Sequence, residues 1–183
     1  MFNMFRILII IIILFYCLPL RADQYDIRLN QLFDQLLETD NENLINQITI
    51  DIWDIWYETN DPAITRDFFR GIGLLNNGNF EVSVNYFTRV IEKNPNFAEA
   101  WNKRATAYYL LGDFDKSMID INQTLKLEPR HFGALDGMAL IFIQEKKYEN
   151  ALDIYDEIIK IFPKSKATNQ KKEFILNLIT KSA

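Results

Sequence analysis

The side chains that could do chemistry here are few and fall into three short clusters. Arg130 and His131 are adjacent, at the start of a predicted helix. A helix start offers unpaired N–H groups and a partial positive charge. Arg130 is always charged, and His131 can become so in acid. Asn102 and Lys103 lie on the neighbouring predicted helix, and the four together could receive a partner's carboxylate. The plainer alternative is a solvated Arg130 and a His131 packed in a turn. Arg104 and Asp120 are spaced to meet across two successive helices. They read as a structural salt bridge, with a ligand-facing Arg104 as the alternative. Gly133 and Gly137 stand one turn apart within a helix, where each glycine costs about 1 kcal/mol relative to alanine. Their missing side chains serve either close packing or a shallow floor where a partner meets the backbone. Phe68 and Tyr109, as aromatic anchors, with Thr106 and Asp136, complete the candidate lining of a partner-binding groove.

Other chemistry finds no support. The chain has one Cys (Cys17) and one His, too few for a disulfide or for a structural zinc site of four such ligands. A single His without a nucleophile beside it is no relay. No carboxylate pair stands out, and Gly71-Ile72-Gly73 lacks the strand and third glycine of a phosphate loop. Asn122-Gln123-Thr124 is a glycosylation sequon by letter, but on a helix. No enzyme, cofactor or metal is expected. A net charge of −5 lacks the basic stripe of a nucleic-acid binder.

The elements that position these residues follow a fixed step. Pro95, Pro129 and Pro163 are 34 residues apart, and Gly71, Ala105 and Ala139 keep the same step. So do Leu74, Tyr108 and Phe142, then Phe80, Phe114 and Tyr148, then Phe87, Ile121 and Tyr155. This is the period of a helix–turn–helix repeat. Three repeats are expected, at 64–97, 98–131 and 132–165. Their inner helices fall near 63–76, 96–111 and 130–145, and their outer helices near 80–92, 114–127 and 148–161. Gly78 and Gly112 sit where a left-handed residue should close an inner helix; Lys146-Lys147 holds that place less well in the third repeat. Each proline stops an outer helix, because the residue before it leaves the helical region.

Residues 23–61 read as a helical hairpin stacked on the first repeat, either a degenerate repeat or a cap. After Pro163, residues 166–183 read as one amphipathic capping helix. Its Phe174, Leu176, Leu178 and Ile179 are taken as the apolar side, with Lys164, Lys166, Lys171 and Lys172 exposed. The fold expected is an all-α solenoid of antiparallel helix pairs with a right-handed superhelix.

The first 22 residues differ from the rest. A head with one positive charge precedes the apolar run from Ile7 to Leu18, followed by Pro19-Leu20-Arg21-Ala22. This is the pattern of a secretory signal, and the run is shorter than the roughly 18–20 residues that span a bilayer. A signal cleaved after Ala22 and a periplasmic location are expected, with an uncleaved inner-membrane anchor as the alternative. Tyr16 before Cys17 argues against a lipid-attachment signal.

The segment from Ala98 to Phe114, with Trp101, Ala105, Tyr108 and Gly112, closely resembles the tetratricopeptide repeat, and the match continues through Ser117, Asp120, Ile121, Leu125 and Glu128-Pro129. The stretches around Glu99–Ala105 and Glu128–Leu135 also resemble small exported bacterial proteins of this kind. The resemblance implies a binding scaffold whose inner helices line a groove for a protein or peptide partner, in an envelope adaptor or a self-associating element of an envelope complex. The oligomeric state is left open, and a membrane contact follows only if the N-terminal segment stays attached. Some members clamp a C-terminal carboxylate with Lys, Arg and Asn on successive inner helices. Phe68 and Ile72 on the first inner helix, and Gly133 and Gly137 on the third, depart from that clamp and leave Asn102 and Lys103.

Overall fold

One backbone device, repeated three times, sets the helix pairs. Gly78, Gly112 and Lys146 all take positive φ, at 77°, 78° and 59°. The N–H of the following residue reaches back to the carbonyl of Leu74, Tyr108 or Phe142, at 2.9, 2.9 and 2.8 Å. That bond closes a helix and reverses the chain. Lys146 adopts the same geometry without glycine's freedom, at a cost of about 1–2 kcal/mol.

The computed structural model describes residues 26–182. Nine helices lie among them: α1 (Ile27–Glu38), α2 (Glu42–Tyr57), α3 (Pro62–Asn76), α4 (Phe80–Lys93), α5 (Ala98–Leu110), α6 (Phe114–Leu127), α7 (Phe132–Gln144), α8 (Tyr148–Ile161) and α9 (Lys166–Ser182). The proposed signal segment lies outside the described residues. Among the described residues no helix is long and apolar enough to cross a membrane.

Helices α3–α8 form three antiparallel pairs stacked in sequence. Each pair buries the in-phase residues. Phe87, Ile121 and Tyr155 are all essentially inaccessible, and Phe68, Ala105 and Ala139 pack with them in their respective clusters. A buried large apolar side chain contributes about 1.5–3 kcal/mol, so each 34-residue unit is stable only in company with its neighbours. The inner helices α5 and α7 begin two residues later than the periodicity predicts, because Phe97 and His131 serve as their N-caps.

Helices α1 and α2 form the expected hairpin, but it does not stack on the first repeat. Trp53 and Trp56 meet His131 and Phe132, and Ile161 and Phe162 join the same cluster with Leu29, Phe33, Ile48 and Ile52. Among the described residues its ring contacts with α3 come from Tyr57, to Phe68 and Phe69. The hairpin therefore lies against the junction of the second and third repeats, at the ends where α7 and α9 begin. The reason is chemical: two indoles and the buried Ile45, Ile48 and Ile52 of α2 need a large apolar seat, and Phe132 with Phe162 helps to provide it.

Helix α9 caps α8, with a register different from that predicted. Ile175 is the fully buried residue, helped by Leu178 and Ile179, while Phe174 and Leu176 are exposed. Lys171 and Lys172 are engaged rather than free, bonded to Asp136 and Asp156.

Candidate functional site

Glu99 is the centre of the polar cluster, and its side chain is wholly buried. It sits one turn before Asn102 and Lys103 on α5, so all three share a face. Asn102 Nδ2 donates to both carboxylate oxygens, at 3.2 and 3.1 Å. Lys103 Nζ lies 3.0 Å from Oε1, and His131 Nε2 lies 2.7 Å from Oε2. His131 Nδ1 accepts the Ala134 N–H at 3.1 Å and caps α7. The ring proton is therefore on Nε2 and is donated to Glu99. Burial pushes the Glu99 carboxyl up, but the Lys103 ammonium and the His131 bond outweigh it and hold the group below the usual carboxylate range. Burial likewise lowers Lys103, and the Glu99 charge followed by Tyr57 overcomes this and leaves it raised.

Helix α2 roofs this cluster with rings. Trp56 stacks on the His131 imidazole at 4.0 Å, nearly parallel at 11°. Trp53 stands edge-on to it, and the Lys103 ammonium lies 5.1 Å from the Trp53 ring and 5.3 Å from that of Tyr57. Gly133 makes the approach possible. A Cβ there would lie 2.7 Å from Trp53 Cη2 and 3.2 Å from Cζ2.

Beside the roof a recess of about 190 Å³ remains open between α5 and α7. It is lined by Asn102, Thr106, Tyr109, Asp136, Gly137 and Leu140, and it meets the roof at Gly133. Its polar groups are held by their neighbours. The Thr106 hydroxyl donates to the Asn102 carbonyl, Gln144 donates to the Tyr109 hydroxyl, and Lys171 holds Asp136 at 2.6 and 2.8 Å.

Of the residues predicted for the groove, the structure brings Asn102, Thr106, Tyr109, Gly133, Asp136 and Gly137 together around this recess. It does not bring in Phe68, which is wholly buried against Phe87, Phe97 and Tyr57, because the α3–α4 pair needs a large ring there. Nor does it bring in His131, which is inaccessible between Glu99 and Trp56. Lys103 is engaged by Glu99. Arg130 is bonded to buried Glu128 through Nε and Nη2, and to Asn30 of α1 through Nη1, with its guanidinium 4.4 Å from the Phe33 ring. The four-residue carboxylate receiver is thus not assembled, because each cation has a partner within the fold.

Arg104 is structural by position. Its Nε and Nη2 bond Asp120 at 2.7 and 2.9 Å, and Nη1 bonds the Thr88 hydroxyl at 2.9 Å. One side chain of α5 therefore ties α4 to α6. Burial lowers its basicity, and the Asp120 bond more than restores it.

Sequence reasoning missed Glu99, Glu128, Trp53 and Trp56 as parts of this region. A signal existed for Glu99: it occupies the repeat position of Gly133, 34 residues on, so both must point inward.

Comparison with known proteins accords with this geometry. Residues 70–123 and residues 134–165 each match a tetratricopeptide repeat model. The chain is a tetratricopeptide repeat protein, and its helices are a tetratricopeptide repeat domain of sequential antiparallel pairs. It is similar to a TPR repeat-containing protein of Rhizobium etli, 29% identical over 144 residues that span 79% of this chain and 71% of that one. It is also similar to Hsp70-Hsp90 organizing protein 3 of Arabidopsis thaliana, 26% identical over 57% of this chain but only 19% of the longer protein. Among solved structures, the first TPR of Spaghetti (RPAP3) bound to the HSP90 peptide SRMEEVD superposes with a TM-score of 0.60 at 17% identity, over 64% of this chain and 94% of that one.

Proposed function

We propose that this chain is an exported adaptor of the bacterial cell envelope, a protein-interaction domain that holds a segment of a partner in the recess between α5 and α7. The observation that carries the reading is the recess itself: a concavity bounded by Tyr109 and Leu140 and floored by Ile121 and by Gly137, whose missing side chain admits Ile121, on a tetratricopeptide repeat domain. Concave sites with an apolar body and a few fixed polar groups are where ligands gather. The Tyr109 hydroxyl, which accepts from Gln144 and can still donate, and the Asp136 carboxylate, whose oxygens keep lone pairs beyond the Lys171 bonds, are the polar groups that can orient a bound segment.

The neighbour's acidic peptide does not transfer directly. A peptide carboxylate needs unengaged cations, whereas Lys103, Arg104 and Arg130 are held by Glu99, Asp120 and Glu128. The segment favoured here is instead apolar, with a backbone or amide donor for Asp136. Export rests on the N-terminal apolar run and is checked by the mass of the secreted chain, which should begin at Asp23.

The deciding experiment is affinity capture from an envelope extract with wild type, Thr106→Glu and Tyr109→Ala. Thr106 makes one local bond, so its replacement fills the recess with little loss of stability. A partner held by wild type and lost from both variants is the expected result. Capture unchanged by either variant removes the recess from the function.

A further inference from the structure

We infer that α2 is an exchangeable occupant of the surface it covers, and that this surface is a second docking site, fitted to an acidic amphipathic helix with two aromatic residues one turn apart. This rests on the reading of the chain as an interaction domain and adds a site and a partner chemistry to it. Three observations carry it.

The floor is nearly complete without its cover. Glu99 is satisfied by Asn102, Lys103 and His131, all from α5 and the start of α7. Helix α2 adds ring faces and the Tyr57 hydroxyl toward Lys103. A surface already paired within itself can lose a helix without stranding a charge.

Charge separates cover from floor. Residues 26–58 carry eight acidic side chains and one basic one, whereas residues 59–183 carry 16 acidic and 17 basic. The rim that faces the hairpin meets it with two lysines: Lys164 pairs with Asp40, and Lys166 pairs with Glu42. Opposite charge at a rim selects an acidic occupant.

The polar part of the attachment is slight. Residues 58–61 are the only chain connection between the hairpin and the repeats. The Lys164–Asp40 and Lys166–Glu42 pairs are at least half exposed on both sides, and exposed pairs of this kind hold weakly. The specific grip is two indoles, with Trp53 admitted by the bare backbone of Gly133. A helix held by its apolar face in a groove is a recurrent recognition mode, here made within one chain.

A labelled peptide of residues 42–57 (ENLINQITIDIWDIWY), followed by fluorescence anisotropy, tests this on the full chain. The forms compared are wild type, Trp53→Ala/Trp56→Ala, and Glu42→Cys/Lys166→Cys with Cys17→Ser, either bridged by a reducible bis-methanethiosulfonate linker, since the two backbones lie too far apart for a direct disulfide, or reduced. The double Trp variant should bind at least about tenfold more tightly than wild type, because apparent affinity scales with the fraction of open site. The bridged lock should bind nothing, and reductive removal of the linker should restore wild-type binding. Adding Gly133→Leu to the Trp variant should abolish binding, and 0.5 M salt should weaken it. If the Trp variant does not fold, the comparison of locked and reduced chains decides alone. Equal binding to locked and reduced chains, or no binding to any form, overturns the inference. So does a concentration-dependent dimer that the peptide cannot dissociate, which would give the surface to a second copy. Tyr109→Ala should leave peptide binding intact, so loss of this site and loss of the recess reading remain distinguishable.

Discussion

Replacing Glu99 by Gln tests the buried cluster most sharply. At 3.0 Å from Lys103, and with an effective dielectric of about 20, the ion pair attracts by roughly 5–6 kcal/mol. Taking both charges out of water costs several kcal/mol per ion, so the pair as a whole contributes little net stability. Its breakage is another matter. Glu99→Gln keeps the shape but leaves Lys103 buried without a counter-charge, and should cost about 3–5 kcal/mol. Lys103→Met leaves the carboxylate with only Asn102 and His131, and should cost about 3 kcal/mol. The double variant removes both charges together and should cost far less than the sum, with a coupling of about 2–3 kcal/mol. Urea unfolding followed by indole fluorescence measures all three, since Trp53 and Trp56 roof the site. Additive costs to within about 0.5 kcal/mol, or a single Glu99→Gln loss below about 1 kcal/mol, would refute the reasoning. The pH dependence has a definite sign. Glu99 is depressed in the folded chain, so its contribution is complete above the unfolded carboxyl pKa and is lost as pH falls through the lower folded value. Lys103 is raised, so its contribution is complete below the unfolded amine pKa and is lost as pH rises through the higher folded value. In Glu99→Gln/Lys103→Met, stability should be flatter at both ends.

Three further outcomes follow from single positions. Arg104→Ala should cost about 3–5 kcal/mol in chemical denaturation, because it strands the buried Asp120 carboxylate; Arg104→Leu/Asp120→Leu should recover most of that. Lys146→Gly should raise stability by about 1 kcal/mol, by relieving a φ of 59°, and Gly112→Ala should lower it by a similar amount; calorimetry reads both. The buried Tyr155 hydroxyl has no hydrogen-bond partner, so Tyr155→Phe should be neutral or stabilising by up to about 1 kcal/mol in the same calorimetric comparison.

What could be read from the sequence is what local backbone and repeat phase determine. The turns at 78, 112 and 146 recur because each closes the same short unit, and the spacing alone exposes Lys146 as the strained member. Arg104 and Asp120 could be paired because only one turn separates their helices. The hairpin's seat could not be read. Its contacts with His131, Phe132 and Phe162 join residues far apart in the chain, and α2 is apolar on more than one face, so periodicity names a buried helix without naming what buries it. The same limit hid Glu99. A carboxylate one turn before a lysine reads as a solvated pair, and only His131 from the next repeat, under an indole from α2, makes it a core residue.

Gly133 shows where the missing information was written. In phase it matches Glu99, a residue whose side chain points inward, yet it carries none. Helix propensity alone disfavours this by about 1 kcal/mol, so the vacancy has to be repaid by contact elsewhere. The structure supplies that contact in Trp53, 2.7 Å from where a Cβ would lie. A position that breaks a repeat's own rule therefore records what lies on top of the repeat. In Gly133 that record is of a helix the repeat itself does not contain, which is why the surface beneath α2 has the character of a binding site rather than of an ordinary core.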